Sequence, residues 1–588
     1  MTDNSDKKPS GKSQNRKPLS DKTPSGAEKQ RARKERFIAE KHSKSTTIPS
    51  PSKAADSKAT NRTTRGPSRD DRSSYRGRPP TESGYGKKLR EDIRDDQNLG
   101  GDQVYTKRSD IEPAKGGERL ARGAKRVDLP MGRLLYHVLA VLDEATSSDS
   151  PIDRALASHF SNIKGRLTDR DYARIRDMVW GVVRRYRRLL WWLEIKGQTL
   201  QMRKLLLADL ALTHGKTLQD ITNFCKGGGG YLKRLTDSEA RALSSMEGSD
   251  LTEGTMPEAV LLECPSWAEA GLREVFGDRF GVEVAALNDP SQLDIRVNPF
   301  KGNREDIIPR LEKAGCKVEV LDWLPHGIRI HDHCKKAHLP FYERGEFEIQ
   351  DAGSQVLSVM VAVEPGQRVV DFCAGAGGKT LAMASEMDNR GQLVACDVHN
   401  KRLGRAAQRL KRAGVFNAER KVLESERDPW VKKNKGKFDR VLIDAPCSGT
   451  GSWRRAPDSK WRRDETDLAE LVALQESILT SAARLVKPGG RLVYATCSLL
   501  PCENEEQIAG LLRSRPDFKL IPIKQIWEAQ MPLSPPEYLD DMLRLTPARN
   551  GCDGFFAAVL VREEATPVVT KSAESSEPAE STSTEASE

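Results

Sequence analysis

The sequence lacks the features that mark membrane-spanning and secreted proteins. No apolar run reaches the roughly 18 residues that a membrane-spanning helix needs, and the polar N-terminus has no signal-peptide core. The ten cysteines are scattered, without a CxxC pair or a His/Cys cluster. These absences predict a protein with no membrane span, no disulfide framework and no metal site, in a reducing, cytoplasmic setting.

Apolar periodicity is almost absent from both ends of the chain. Residues 1–125 are rich in Lys, Arg, Ser, Asp, Gly and Pro, and residues 563–588 are acidic and rich in Ser, Thr and Glu. Such segments bury too little apolar surface to offset chain entropy, so we predict a disordered basic tail and a disordered acidic tail. The run Arg31–Lys34 suits either phosphate contacts or a solubilising role. The net charge of +11 indicates a polyanionic partner.

At 588 residues the chain is long enough for two or three folded domains. The first, residues 130–255, is predicted to be helical, because apolar residues recur at helical spacing in Leu134–Leu142, Ile175–Leu193 and Leu205–Leu212. Thr168 and Asp171 have the spacing of a capped helix start.

The second of these helices ends in arginines interleaved with aromatic residues. Guanidinium groups pair with phosphates and stack on bases, so this pattern suits an RNA contact. An amphipathic helix with a charged face toward solvent explains it equally well. The residues are Arg184, Arg185, Tyr186, Arg187, Arg188, Trp191 and Trp192.

Short strands and one helix then indicate a small α+β unit in residues 256–350. Its predicted elements are strands at Asp294–Asn298, Val318–Leu321 and Ile328–Ile330 and a helix at Glu305–Ala314. From residue 351 to 562, strands and helices alternate, which favours an α/β domain with a doubly wound parallel sheet.

A glycine turn follows the first strand of this α/β domain. Glycines let the backbone approach a ligand, and the N-terminus of the next helix offers free N–H groups. The turn has neither the GxGxxG spacing of a dinucleotide site nor the GxxxxGK[ST] spacing of a P-loop. A smaller adenosine-containing ligand remains, and S-adenosylmethionine is the candidate. The turn consists of Cys373, Ala374, Gly375, Ala376, Gly377, Gly378 and Lys379.

The second predicted strand, Gln392–Cys396, ends in Asp397, roughly twenty residues beyond the turn. A carboxylate at this place accepts hydrogen bonds from ribose hydroxyls in nucleotide-binding folds. A helix cap is the alternative role for this residue.

Two later strands each end close to a cysteine. One runs from Phe438 into Asp444-Ala445-Pro446-Cys447, and the other, Gly490–Ala495, runs into Thr496-Cys497-Ser498. Both cysteines are therefore expected at the carboxyl edge of the sheet, where open α/β folds bind ligands. A structural role is usual for a single buried cysteine, but it does not explain two at the same edge.

This arrangement suits methylation of carbon 5 of a cytosine. That carbon is a poor nucleophile until a thiolate adds to carbon 6, which makes it enamine-like. The step needs a reactive cysteine and an acidic group near the ring nitrogens. Cys497 and Asp444 fit these two roles.

Taken together, these motifs resemble the Sun/RsmB (NOL/NOP/Sun) family of RNA cytosine-5 methyltransferases. The resemblance covers residues 290–562, including Asp553-Gly554-Phe555-Phe556. It implies a Rossmann-like class I methyltransferase sheet in the α/β domain, preceded by the small α+β unit and an all-helical domain. It also implies S-adenosylmethionine as cofactor and RNA, ribosomal RNA above all, as substrate. We expect a monomer.

The resemblance also implies residue roles. Cys497 corresponds to the family's nucleophile, and Cys447 to the cysteine that assists product release. Residues Cys373 to Lys379, Asp397 and Asp444 would line the cofactor pocket, with Lys379 also near the target base. DNA cytosine methyltransferases use the Pro-Cys cysteine as nucleophile instead, so the presence of both motifs favours RNA.

The chain departs from the family pattern in two places. Gly375 and Ala376 replace an Ala-Pro pair in the turn, and Glu424 stands where an Asp is usual in the cofactor pocket. Residues 130 to about 215 resemble the NusB-like RNA-binding domain of some members, which implies RNA binding by this domain.

Two other functional classes are compatible with the fold. A non-catalytic RNA-binding ribosome assembly factor could retain it, although such a factor needs neither thiol. A DNA or exocyclic-amine methyltransferase is the other class. Amine methyltransferases have a motif that resembles Asn-Pro-Pro-Tyr, whereas this chain has Asp-Ala-Pro-Cys. We therefore expect an rRNA-processing transferase that produces 5-methylcytosine.

Overall fold

The first part of the chain is all helical in the computed structural model, which describes residues 127–331 and 340–564. One apolar core extends through this part from Leu134 to Val260. The predicted tails lie outside the described residues, except for residues 563 and 564. The helices are α1 (Met131–Ser147), α2 (Ile152–Asn162), α3 (Asp169–Arg184), α4 (Tyr186–Ile195), α5 (Met202–Leu212), α6 (Leu218–Phe224) and α7 (Asp237–Ser244).

The predicted start of α3 is confirmed, but the predicted single helix over Ile175–Leu193 is wrong. Thr168 and Asp171 form a reciprocal capping box, in which each side chain accepts a bond from the other's backbone N–H. The helix stops at Arg184, and Arg185 N–H bonds back only three residues, to Val182 O. The Arg185 side chain turns inward to Asp209, which is fully buried on α5.

Several arginines of the arginine-rich segment form hydrogen bonds with other parts of the protein. Arg185 Nε donates to Asp209 at 2.7 Å, and Arg188 Nε donates to buried Glu263 at 2.7 Å. Arg184 Nη2 donates to Arg454 O, 270 residues away in sequence, at 2.8 Å. These bonds use the charges and donors of the three arginines in packing, and RNA contact by this segment stays a prediction.

The three predicted strands of the small α+β unit form, and a fourth strand that was not predicted completes an antiparallel sheet in the order β2-β3-β1-β4. Helices α8 to α10 precede the sheet, and α9 and α10 pack on the last domain through Trp453, Leu499 and Leu500. The elements are α8 (Glu258–Leu261), α9 (Ser266–Phe276), α10 (Phe280–Ala286), β1 (Leu293–Val297), α11 (Arg304–Lys313), β2 (Val318–Val320), β3 (Gly327–Ile330), α12 (Pro340–Glu343) and β4 (Phe347–Ile349).

The last domain is a mixed sheet of eight strands. Five strands are parallel, in the order β9-β8-β5-β6-β7, as the alternation of strands and helices predicts. The elements are α13 (Ala352–Met360), β5 (Arg368–Asp371), α14 (Gly378–Glu386), β6 (Gln392–Asp397), α15 (Asn400–Ala413), β7 (Ala418–Val422), α16 (Pro429–Lys433), β8 (Phe438–Asp444), α17 (Glu465–Ala483), β9 (Val486–Thr496), α18 (Glu505–Ser514), β10 (Phe518–Ile521), α19 (Ile523–Gln530), β11 (Leu543–Leu545), α20 (Pro547–Asn550) and β12 (Phe555–Arg562).

Three further strands extend this sheet beyond β9. Strand β12 pairs antiparallel with β9, and β10 and β11 both pair antiparallel with β12. The sequence analysis expected only parallel pairing. Strand direction at an edge depends on which long-range partner the strand meets, and local spacing does not reveal this partner.

The strand order reverses between β5 and β8. From β5 the chain proceeds to β6 and β7 on one side, then returns to place β8 and β9 on the other side. The connections that leave β5 and β8 therefore diverge, which opens a crevice at the carboxyl ends of these strands. The glycine turn after β5 and the Asp-Ala-Pro-Cys segment after β8 both lie at this crevice.

The helical domain contacts a segment between β8 and α17. Asp458 Oδ2 accepts a bond from Ile152 N, the first residue of α2, at 3.1 Å. The Trp461 ring stacks on Tyr186 with ring centroids 5.0 Å apart, and its Nε1 donates to Val183 O at 3.2 Å. Hydrogen bonds and aromatic stacking thus join the two domains at this segment.

The sequence analysis predicted that the chain has no membrane span and no disulfide framework. Across residues 127–331 and 340–564, every helix is too short or too polar to cross a bilayer. Cys316 is disulfide-bonded, which corrects the expectation that all cysteines are reduced. The other eight cysteines in this part of the chain are free.

The Arg185–Asp209 pair is expected to stabilise the helical domain strongly. Asp209→Ala leaves the largely buried Arg185 guanidinium without its partner, at a cost of about 3–5 kcal/mol. The variant should show a lower melting temperature and faster amide hydrogen exchange in α5. The control Asp177→Ala removes an exposed carboxylate and should change stability by less than about 1 kcal/mol. Equal effects of the two variants would contradict this assignment.

Candidate active site

The turn after β5 brings its backbone close to neighbouring elements. Gly375 and Gly377 have φ angles of 55° and 81°, in the left-handed region that favours glycine. A Cβ on Gly377 would lie 3.0 Å from the Cβ of Ala406 on α15. Helix α14 begins at the next residue, so its first N–H groups point toward the crevice.

Asp397 connects this turn to the end of β6. Its Oδ2 accepts from Gly375 N at 2.9 Å, and its Oδ1 accepts from His399 N at 2.7 Å. The carboxylate is therefore beside the turn, where the sequence analysis expected it. The helix-cap alternative is not observed, because His399 is the N-cap residue of α15 and no side chain caps this helix.

Glu424 follows β7, two residues beyond Val422. It is exposed, and its backbone N–H binds the buried carboxylate of Asp428. Glu424 does not line the cavity at the crevice. Its assignment to a cofactor pocket stays a prediction that this geometry does not support.

Asp371, the last residue of β5, is a buried carboxyl group that the sequence analysis did not single out. Thr380 Oγ1 donates to its Oδ2 at 2.6 Å. Burial raises the pKa of Asp371 to about 7, despite the opposing effect of the Thr380 hydrogen bond. Its place at the end of a strand, directly before a glycine turn, is the sequence signal that could have identified it.

Lys379 and Asp444 form an ion pair across the crevice. Lys379, near the start of α14, donates from Nζ to Oδ2 of Asp444, the last residue of β8, at 2.6 Å. Burial lowers the pKa of Lys379, but the charge and hydrogen bond of Asp444 outweigh burial, so the pKa is raised. The pair thus presents a permanent cation and a carboxylate to the cavity.

The two predicted cysteines are in contact. The Cys447 and Cys497 sulfur atoms are 3.3 Å apart, and both residues line the cavity. Cys447 is buried, whereas Cys497 is only half-buried. The pKa of Cys447 is raised well above its usual value, first by the hydrogen bond to Cys497 and then by burial. Cys447 is therefore held as a neutral thiol that can donate S–H to the sulfur of Cys497.

One cavity of about 210 Å³ contains most of the predicted site residues. Gly377, Asp397 and Glu424 are not among its lining residues. The predicted residues that do line it are Cys373, Ala374, Gly375, Ala376, Gly378, Lys379, Asp444, Cys447 and Cys497.

The same cavity is also lined by charged residues to which the sequence analysis gave no role. Arg455 Nη2 donates to Asp351 Oδ2 at 2.6 Å, and its Nε donates to Asp553. Phe555, two residues after Asp553, lies with its ring centroid 5.8 Å from Lys379 Nζ. These residues come from three segments far apart in the sequence, so no local pattern predicts their association.

The chain is similar to methyltransferases of ribosomal RNA. The family model described as 16S rRNA methyltransferase RsmB/F matches residues 358–561, and a model of the RsmF/B-like ferredoxin-like domain matches residues 264–336. A probable ribosomal RNA small subunit methyltransferase B from Synechocystis is 30% identical over 464 residues, which cover 73% of this chain and 98% of the relative.

Two further proteins extend the similarity beyond the sheet domain. Ribosomal RNA small subunit methyltransferase B from Photorhabdus laumondii is 28% identical over 442 residues, which cover 73% of this chain and 99% of the relative. The crystal structure of PH0851 is 27% identical, with a TM-score of 0.61, and the match covers 74% of this chain and all of PH0851.

The raised pKa of Asp371 predicts a pH dependence of stability. Between about pH 4 and 7 the folded protein keeps a proton that the unfolded chain has lost, so stability falls as pH rises through this window. Asp371→Asn cannot titrate, so its melting temperature should fall less between pH 5 and 8 than that of the wild type.

Two other carboxyl groups, half-buried Asp153 and buried Asp553, have pKa values raised to about 6. Part of the fall in melting temperature therefore remains in the Asp371→Asn variant. The exposed control Asp388→Asn should match the wild type at every pH. An unchanged pH profile in Asp371→Asn would show that Asp371 is ionised in the folded protein.

Proposed function

The chain belongs to the RsmB/F family of 16S rRNA methyltransferases, and on this basis we propose that it methylates carbon 5 of a cytosine in ribosomal RNA. Family membership supports S-adenosylmethionine-dependent RNA methylation. The position on the base and the covalent route are our proposal. The observation that carries it is the contact between the Cys447 and Cys497 sulfur atoms in the wall of the cavity.

S-adenosylmethionine is the cofactor of this family, and the residues after β5 and β6 fit it. When bound, it supplies an electrophilic methyl group carried by a sulfonium. The glycine turn leaves room at the cavity wall, because Gly375 and Gly378 have no side chains there. The Asp397 carboxylate beside this turn suits ribose hydroxyls, which donate hydrogen bonds. We infer that residues 373–379, Asp397 and Asp444 hold the cofactor.

Cys497 is the nucleophile in this proposal. Its sulfur is more accessible to a substrate than that of Cys447, and attack on carbon 6 of the base requires access. The new C–S bond shifts electron density to carbon 5, which takes the methyl group. Asp444 and Lys379 face the same space and suit hydrogen bonds to the polar edge of the base.

Cys447 assists release of the product. After methyl transfer, carbon 5 loses its proton to a base, the bond between carbon 6 and sulfur breaks, and the electron pair returns to Cys497. The Cys447 thiol, held neutral and 3.3 Å away, can stabilise the departing thiolate by donating S–H. A non-catalytic assembly factor has no use for two thiols in contact at a cavity.

Cys497→Ala should abolish methyl transfer and leave cofactor affinity within about threefold, because its thiolate acts on the base rather than on the cofactor. Transfer of labelled methyl to RNA and calorimetric titration with S-adenosylmethionine measure the two effects. Cys502→Ala is a matched control, since Cys502 lies on the same loop outside the cavity lining. Near-normal turnover in Cys497→Ala would exclude it as nucleophile.

Cys447→Ala should still attack and methylate the base but should fail to release it. A covalent protein–RNA adduct should then accumulate and appear as a slow band on a denaturing gel. The double variant Cys447→Ala, Cys497→Ala should lose the band, because no bond forms. If Cys497→Ala alone trapped RNA, the two cysteines would have exchanged roles.

A further inference from the structure

A single buried carboxylate contacts both cysteine-bearing loops. Glu503, in the turn Pro501–Glu503 after β9, is fully buried. Its Oε1 accepts from Ser448 N at 2.7 Å, and its Oε2 accepts from the Ser448 hydroxyl at 2.5 Å and from the Ser498 hydroxyl. Ser448 directly follows Cys447, and Ser498 directly follows Cys497. Glu503 therefore joins the two loops one residue away from each thiol.

The donors to Glu503 are all uncharged. The remaining donor is Gln475 Nε2 of α17, 2.9 Å from Oε1, and within residues 127–331 and 340–564 no Lys, Arg or His forms an ion pair with Glu503. A buried carboxylate without a cation is costly unless several hydrogen bonds replace its water. An apolar residue at this position would leave the buried donors of Ser448 and Gln475 without an acceptor, so both loops depend on the carboxylate.

Other hydrogen bonds also connect the two loops. Gly451 N donates to Cys497 O at 2.9 Å, and Leu499 N donates to Thr450 Oγ1 at 2.8 Å. The first bond is accepted by the backbone of Cys497 itself, and the second lies two residues from Cys497 and three from Cys447. They should keep the loops folded when Glu503 is changed, whereas the Cys447 side of the contact is joined to Glu503 through Ser448.

We propose that Glu503 is a positioning residue that keeps the Cys447 thiol against the Cys497 sulfur, so that its loss slows product release more than methyl transfer. This inference rests on the proposed function. Attack on the base needs only Cys497, whereas release needs the contact between the two sulfur atoms. Loosening one loop relative to the other therefore affects the later step.

The charge of Glu503 acts in the same direction. The pKa of Cys447 is raised first by its hydrogen bond to Cys497 and then by burial, and the negative charge of Glu503 adds to these effects. Cys447 consequently keeps the proton that it offers to the departing sulfur. Replacing the carboxylate removes both the hydrogen bonds that join the two loops and this negative charge.

Glu503→Gln is the most informative variant for testing this role. The amide keeps the size of the side chain but puts an NH₂ group where one oxygen accepts two hydrogen bonds. At Oε1 this group would meet Ser448 N–H and the Gln475 amide, and at Oε2 it would meet two hydroxyls that must rotate to accept. Glu506→Gln is the matched control, because Glu506 is exposed three residues further along.

The experiment compares steady-state turnover, single-turnover methyl transfer, cofactor affinity and the covalent adduct in the full-length chain. For Glu503→Gln we expect turnover to fall roughly tenfold or more, with single-turnover transfer and cofactor affinity within about threefold of the wild type. A protein–RNA adduct should accumulate. Combining Glu503→Gln with Cys447→Ala should not increase the adduct beyond that of Cys447→Ala, because both act on one step.

The inference is overturned if Glu503→Gln slows transfer and turnover equally without an adduct, which is the result of a purely structural role. If this variant does not fold, Ser448→Ala is judged by the same criteria, since it removes one hydroxyl donor.

Cys447→Ala, measured beside Glu503→Gln, separates the proposed role of Glu503 from the proposed two-cysteine mechanism. If Cys447→Ala traps RNA and Glu503→Gln does not, only the role of Glu503 is wrong. If Cys447→Ala turns over normally, the two-cysteine mechanism itself is wrong.

Discussion

Strand β8 lies between β5 and β9, and its parallel pairing with both neighbours is the constraint on which the site depends. Leu442 pairs with Asp371 of β5, and Asp444 pairs with Ala495 of β9. These registers place the carboxyl ends of three strands at one rim. The glycine turn, the Lys379–Asp444 ion pair and both cysteine loops start from that rim, so a shift in the register of β8 would separate all of them.

The two chemical pairs at the rim have opposite electrostatic characters. Lys379 and Asp444 are both charged, and each stabilises the charge of the other in a partly buried crevice. Cys447 is kept neutral by burial and by its sulfur contact. Only two residues separate Asp444 from Cys447, so the end of one strand brings an ion pair and a protonated thiol to the same cavity.

Local patterns predicted the residues that follow buried strands, and they missed the residues that long-range contacts bring in. The turn after β5, Asp444, Cys447 and Cys497 could be placed because the carboxyl ends of parallel strands converge. Glu503 could not, because its partners Ser448 and Gln475 lie 55 and 28 residues away. The same reason applies to Arg455 with its two carboxylates and to the antiparallel strands beyond β9.

The arginine-rich segment of the helical domain shows a different limit. Composition identifies clusters of positive charge, but it does not show whether a carboxylate from elsewhere in the fold neutralises them. Buried Asp209 and Glu263 bind Arg185 and Arg188, so a pattern typical of nucleic-acid contacts stabilises the protein itself. Burial of the carboxylate partner distinguishes arginines that stabilise the fold from arginines that are left free for other contacts. This burial is visible only in the folded structure.

The stacking of Trp461 on Tyr186 has a consequence for modularity. Trp461 belongs to the segment between β8 and α17 that also contributes Asp458, Ser459 and Arg462 to the cavity wall. The helical domain therefore supports one side of the cavity from outside. A chimera that joins this methyltransferase sheet to the helical domain of a distant relative must bring a matching surface for Trp461 and for the Asp458 carboxylate. The two domains should consequently be recombined as a pair, although the α+β unit lies between them in the sequence.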